Sequence, residues 1–77
     1  MKREDLTPMD KLKLLNDKFD FTIQIFDGEY NIYCANTDIN ETEVAYIGGY
    51  VIFEDAVDDL ITMIENNGYD LSKYFEL

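Results

Sequence analysis

The sequence predicts one small α+β domain of two layers, formed by a helix, three antiparallel strands and a second helix, with a short helix at the C-terminus. Three observations predict this fold: an amphipathic segment that follows a capping motif, a hairpin turn signal at Asp27-Gly28, and a second apolar stripe at helical spacing after two glycines. With 77 residues, 47% of them hydrophobic, the chain is long and apolar enough for a single core.

The first helix is predicted over residues 8–18. Thr7 is a suitable N-cap, Pro8 fits the first helical position, and Asp10 completes a pattern similar to a capping box. Apolar residues at three- and four-residue spacing form one stripe, which consists of Leu12, Leu15 and Phe19. The lysines of this segment are expected to face water, namely Lys11, Lys13 and Lys18.

The next segment, FDFTIQIFDGEYNIYCAN, predicts a β-hairpin. Asp27-Gly28 favours a type I′ turn, which needs positive φ at both positions and pairs Phe26 with Glu29. That register places one set of mostly apolar side chains on a single face, which we expect to be buried: Phe21, Ile23, Ile25, Tyr30, Ile32 and Cys34. The opposite face then presents Thr22, Gln24 and Tyr33 to solvent or to a partner.

A third strand is predicted from the segment EVAYIGGYVI, with a bulge or bend at Gly48-Gly49. The alternation does not decide which of its faces is buried. Val44 and Tyr46 form one candidate face, and Ala45 and Ile47 form the other.

The second helix is predicted over residues 53–67, ending before a left-handed glycine, Gly68. Ile52 is a poor N-cap, but Glu54 and Asp55 in the first turn complement the positive end of the helix dipole. The apolar stripe consists of Ala56, Val57, Leu60, Ile61 and Ile64. After it, a short turn at residues 70–75 is expected to place Leu71, Tyr74 and Phe75 against the core.

The charge of the chain is unevenly distributed. The net charge is −11, and the 54 residues from Phe19 to Ser72 contain twelve acidic residues and no lysine or arginine. Such a surface repels nucleic acid and anionic lipid and attracts basic partners. We therefore expect a basic protein partner, with no direct nucleic-acid or membrane binding. The N-terminus lacks the pattern of a signal peptide and no apolar run could span a bilayer, so we expect a cytoplasmic protein.

The residues offer little for catalysis. There is no histidine, and the single cysteine, Cys34, is predicted on the apolar face of the hairpin, where a thiol is inert. Adjacent carboxylates such as Asp58-Asp59 point about 100° apart on a helix and form no pocket. A calcium loop starting at Asp38 fails, because Glu43 stands where glycine is needed and Gly49 where a bidentate glutamate is needed. We expect a non-enzymatic protein without metal or cofactor.

The candidate functional site is the acidic face of the second helix. Asp55 and Asp59 lie one turn apart, about 6 Å along the axis. A DNA strand advances about 3.4 Å per phosphate, so a ladder of carboxylates on a helix has a comparable linear charge density. The alternative is a solvated face that serves only solubility. The predicted partner-binding residues are Glu54, Asp55, Asp58, Asp59 and Glu65 on the helix, with Asp38, Glu41 and Glu43 from the loop that precedes the third strand.

In length, acidity and element order the chain resembles the small phage-encoded anti-CRISPR proteins that inhibit Cas9. The shared features are the segment LTPMDKLKLLNDKF, the hairpin FTIQIFDGEYNIYCAN, and FEDAVDDLITMIENNGYD before a last short helix. The resemblance implies a DNA mimic of phage or mobile-element origin, which acts in the host cytoplasm and occupies the DNA-binding cleft of a Cas effector.

Two alternatives remain open. The segments FDGEYNIY and GGYVIFEDAVDDLITMIE are similar to HicB-type antitoxins, which implies a small basic RNase toxin as the partner. Ile52 stands where that family has a threonine cap, and no DNA-binding segment follows. The other alternative is a structural module, a dimer that pairs its exposed sheet faces through Tyr33 and Thr22.

Overall fold

The computed structural model describes residues 6–37 and 42–75 and confirms the predicted α+β order. The elements are α1 (Pro8–Leu15), β1 (Phe19–Phe26), β2 (Glu29–Asn36), β3 (Thr42–Tyr50) and α2 (Phe53–Asn66). The sheet is antiparallel with strand order β1-β2-β3, so β1 lies at one edge and β3 at the other.

The hairpin register is the predicted one. Phe26 pairs with Glu29, Ile23 with Ile32 and Phe21 with Cys34. The two turn residues have positive φ, 55° at Asp27 and 77° at Gly28, as a type I′ turn requires. Turn geometry and the alternation of apolar residues therefore specify the same pairing. The outer face of the hairpin exposes Thr22, Gln24 and Tyr33, also as predicted.

Two bulges decide which face of β3 is buried. The pairing shifts between Tyr30↔Tyr50 and Ile32↔Ile47, which places an extra residue in β3 at Gly48-Gly49. Gly49 has a φ of 81°, which a side chain would strain. The pairing shifts again beside Val44, and as a result both Val44 and Ala45 are buried together with Ile47, whereas Tyr46 is exposed.

Both helices begin where the sequence predicts. The Thr7 hydroxyl accepts a hydrogen bond from the Asp10 amide at 3.1 Å, while Ile52 provides no side-chain cap for α2. Helix α1 is shorter than predicted, because it ends at Leu15 and residues 16–18 form a turn. At the end of α2, Gly68 has a φ of 100° and the Tyr69 amide bonds back to the Ile64 carbonyl, a left-handed termination.

The core lies between α2 and the sheet. Helix α2 packs over β3 and β2, and α1 packs beside α2. All five residues of the predicted α2 stripe are fully buried: Ala56, Val57, Leu60, Ile61 and Ile64. The predicted stripe of α1 is buried with them, and so are two residues of the last segment: Leu12, Leu15, Phe19, Leu71 and Phe75.

The predicted short C-terminal helix is a single hydrogen-bonded turn. The Tyr74 amide donates to the Leu71 carbonyl at 3.0 Å, and the Tyr74 hydroxyl donates to Asp17 at 2.8 Å. At the head of this turn, Asp70 accepts bonds from the amide and the hydroxyl of Ser72. These bonds, donated to its carboxylate, lower the pKa of Asp70.

Strand β1 is less covered than its apolar pattern predicts. Ile23 and Ile25 were expected in the core, but 37% and 66% of their surfaces are exposed. They do point to the same face as the buried Ile32 and Cys34, so the predicted face is right and the predicted burial is wrong. The reason is that α2 lies over the other two strands and the short α1 does not extend over the outer half of β1.

Truncation of the buried face of α2 should show where the stability of the fold originates. Ile61→Ala removes a fully buried side chain and should lower the free energy of unfolding by about 2–5 kcal/mol. Met63→Ala, on the same helix but partly exposed, should cost less than about 1 kcal/mol. Urea denaturation of both variants measures the difference. Equal losses would show that α2 does not pack through the face described.

Candidate partner-binding site

Five acidic residues occupy one side of α2, opposite its core stripe. At 100° per residue they fall within about 140° of arc, and they extend about 16 Å along the helix axis. They form two rows: Glu54, Asp58 and Glu65 on the flank towards α1, and Asp55 and Asp59 on the flank towards the end of β3.

The row towards α1 is partly neutralised. The Lys11 ammonium donates to an Asp58 carboxylate oxygen at 2.8 Å, and the Lys11 side chain is only 6% exposed. The prediction that Lys11 faces water is therefore wrong. Its aliphatic chain packs beside the core while its charge reaches the carboxylate, an arrangement that lysine's long stem allows. Asp58 thus joins α1 to α2, and its charge is not fully available to a partner.

The row towards β3 forms no ion pair with a lysine or arginine of the described residues. The Tyr50 hydroxyl donates to Asp59 at 2.6 Å, and both Asp55 and Asp59 are exposed. The pKa of Tyr50 is raised, first by this hydrogen bond, then by partial desolvation and by the charges of Asp59 and Asp55. Both carboxylates therefore act on the Tyr50 hydroxyl, which lies beside this row.

The remaining predicted residues are not all brought to this place. Glu43 pairs with Ala35 in the sheet. Because Ala35 follows Cys34, whose side chain lies in the core, the side chains of Ala35 and Glu43 point to the side of the sheet away from α2. Asp38 and Glu41 lie outside the described residues. Glu54 is exposed in the first turn of α2, and Glu65 is exposed in its last turn. The structure therefore gathers the five helix residues and separates Glu43 from them.

Sequence reasoning missed the roles of Lys11 and Tyr50. Neither contact could be predicted from local sequence, because each one joins segments that the packing of α2 brings together. Lys11 lies 47 positions from Asp58, and Tyr50 precedes Asp59 by nine across the start of the helix. The position of Lys11 beside Leu12, at the border of the α1 stripe, was the one available indication.

The thiol of Cys34 lies where it is unreactive. Cys34 is buried, and burial, with a smaller contribution from Asp20, raises the pKa of its thiol to about 12. No group of three or more histidine, cysteine, aspartate or glutamate side chains in residues 6–37 and 42–75 comes close enough together to hold a metal ion. None of the helices in the described part of the chain has the length and apolarity needed to cross a membrane.

Neither a protein-family model, nor a curated protein, nor a solved structure was found to match this chain.

Removal of the Asp58 carboxylate should destabilise the fold more than removal of its neighbour. Asp58→Ala leaves the buried Lys11 ammonium without its partner and should cost about 1–3 kcal/mol. Asp59→Ala removes an exposed group and should change the free energy of unfolding by about 0.5 kcal/mol or less. Thermal or urea unfolding distinguishes the two. If both variants unfold like the parent chain, the Lys11–Asp58 pair contributes nothing to stability.

The buried thiol should make stability fall at alkaline pH. Because the pKa of Cys34 is about 12 in the fold and 9.0 ordinarily, only the unfolded chain loses the thiol proton between these values. The contribution of the thiol is therefore complete below pH 9 and is lost as the pH rises towards 12. Urea unfolding from about pH 8 to about pH 10.5 should show a steeper decline for the parent chain than for Cys34→Ala. Parallel declines would mean that the thiol ionises equally in both states.

Proposed function

We propose that this chain is a non-enzymatic inhibitor that binds a basic nucleic-acid-binding protein in place of nucleic acid, with a Cas9-type effector as the partner. The observation that carries the proposal is the acidic side of α2, where exposed carboxylates are held on a rigid helix whose opposite side is fully buried. A helix held in this way presents its charges in a fixed array.

The spacing of the array supports mimicry of a phosphate backbone. The acidic side extends about 16 Å, a length over which one DNA strand carries about five phosphates. Asp55 and Asp59 form a row that is extended by the Tyr50 hydroxyl, and within residues 6–37 and 42–75 no cation pairs with this row, in contrast to Asp58. Lysine and arginine side chains that bind phosphates can form the same charge-assisted hydrogen bonds with carboxylates.

The choice of partner rests on charge and on the resemblance to Cas9 inhibitors. A net charge of −11 repels DNA, RNA and anionic lipid, and steers the chain towards positively charged clefts. Effector complexes hold their nucleic acids in such clefts and read the PAM duplex with arginines. The Cas9 inhibitors that this chain resembles act on that site.

The proposal is tested with a Cas9–guide RNA complex and a PAM-containing duplex as competitor. The parent chain should displace the duplex, and its affinity should fall more than about tenfold between about 50 mM and 200 mM salt. Asp55→Lys combined with Asp59→Lys should abolish displacement. Both residues are exposed, so the fold should survive. Asp58 is left intact, because its reversal would place two lysines together.

The matched control is Asp20→Lys combined with Glu29→Lys. It makes the same change in net charge at exposed positions of the sheet, away from α2, and should keep most of the activity. Equal losses in both double variants would show that only net charge matters. Binding that resists both salt and the α2 variant would contradict mimicry and favour apolar contact through the sheet face. Capture of an RNase from host lysate, instead of an effector, would favour the antitoxin alternative.

A further inference from the structure

Strand β1 has backbone groups that face outward with no strand beyond them in the described part of the chain. The type I′ turn makes Phe26 and Glu29 a hydrogen-bonded pair, and in an antiparallel pair such positions alternate. The Thr37 amide donates to the Lys18 carbonyl at 3.0 Å, so the alternation of hydrogen-bonded pairs continues to the residue before β1. Even-numbered residues of β1 therefore bond to β2, and the amides and carbonyls of odd-numbered ones point to the open edge.

The usable part of this edge is short and symmetric. At its start, the Phe19 carbonyl is already bonded by the Asn16 side-chain amide at 2.8 Å. The outward groups that remain are those of Phe21, Ile23 and Ile25, before the turn ends the strand. Ile23 is their centre, so a two-fold axis through Ile23 maps the set onto itself.

The side chains of this edge are unusually apolar for a strand without a neighbour. Residues 21–26 contain no charged residue, proline or glycine, the features that normally protect an edge from pairing. Ile23 and Ile25 are exposed by 37% and 66%, and a groove between β1 and α1 continues the apolar surface. The groove is lined by Met9, Leu12, Lys13, Asn16, Phe21 and Ile23.

We propose that β1 is a dimerisation edge, and that a second copy of this chain pairs with it in antiparallel orientation about a two-fold axis at Ile23. Ile23 then faces Ile23 of the second copy, and Phe21 faces its Ile25. The three outward-facing residues of each strand form six backbone hydrogen bonds, and the two sheets become one of six strands. A register centred on Thr22 would instead place Phe19 opposite Ile25 and would need the Phe19 carbonyl, which already accepts the Asn16 side-chain amide.

The symmetry of the edge favours a second copy as the occupant, and the charges along the edge allow it. In this register Asp20 lies opposite Phe26 of the other chain and Asp27 lies opposite its Phe19, so no carboxylate of this segment faces another. The acidic side of α2 lies over β2 and β3, away from the pairing edge, so the largest concentrations of negative charge stay apart. The dimer uses neither the α2 surface nor the sheet face of Thr22 and Tyr33.

Sedimentation of the full chain over a range of concentrations tests the proposal. We expect a monomer–dimer equilibrium with no larger species. Ile25→Lys should raise the dissociation constant at least tenfold, because it places a charge on the apolar edge opposite Phe21 of the second copy, and the two-fold axis repeats this contact. Val51→Lys is the matched control, since Val51 is 70% exposed but lies outside β1, and it should dimerise like the parent chain. A monomer at every concentration, or equal effects of both variants, would overturn the proposal.

Cysteine crosslinking tests the register. In Ile23→Cys the two sulfurs are expected on hydrogen-bonded partners about 5.5 Å apart at Cα, within disulfide range, so mild oxidation should give a covalent dimer. Ile25→Cys places its cysteines about 13 Å apart and should crosslink far less. The native Cys34 is buried and should not react. Equal crosslinking at both positions, or none at Ile23→Cys, contradicts a two-fold axis at Ile23.

Discussion

The width of one helix limits what this fold can cover. A helix is about 10 Å across, whereas three strands spaced by about 4.8 Å present a wider surface. Helix α2 therefore covers β2 and β3, and its five-residue stripe supplies the centre of the core. Helix α1 has only eight residues, packs beside α2, and leaves the outer half of β1 bare. The position of α2 thus determines both what is buried and which surfaces remain exposed.

Two surfaces with different chemistry result. The outer side of α2 carries carboxylates, which suit a basic partner and act through charge. The edge of β1 carries apolar side chains and unpaired backbone groups, which suit another strand. They lie on different elements, so one can be occupied without the other. Lys11 links the helices beneath the acidic side and reduces its charge at Asp58.

Local patterns predicted the hairpin well, because Asp27-Gly28 and the alternation of β1 independently require one register. The alternation of β1 did not predict how much of this strand is buried, because that depends on how far a helix reaches across the sheet: Ile25 points to the core face but is exposed. The face of β3 was undecidable because two bulges interrupt its alternation at Val44 and Gly48-Gly49. On the acidic side, the helix pattern located the five α2 carboxylates, whereas the Lys11 contact depends on tertiary packing.

Strand β1 is an uncovered edge of the sheet, whereas α2 packs over the other two strands. Residue-resolved amide hydrogen exchange measures this directly, since protection reports which backbone groups are bonded. At low protein concentration we predict fast exchange at Phe21, Ile23 and Ile25 and slow exchange at the alternate positions Thr22 and Gln24. At high concentration the first three should become protected. Uniform protection along β1 at every concentration would contradict this description of the molecule.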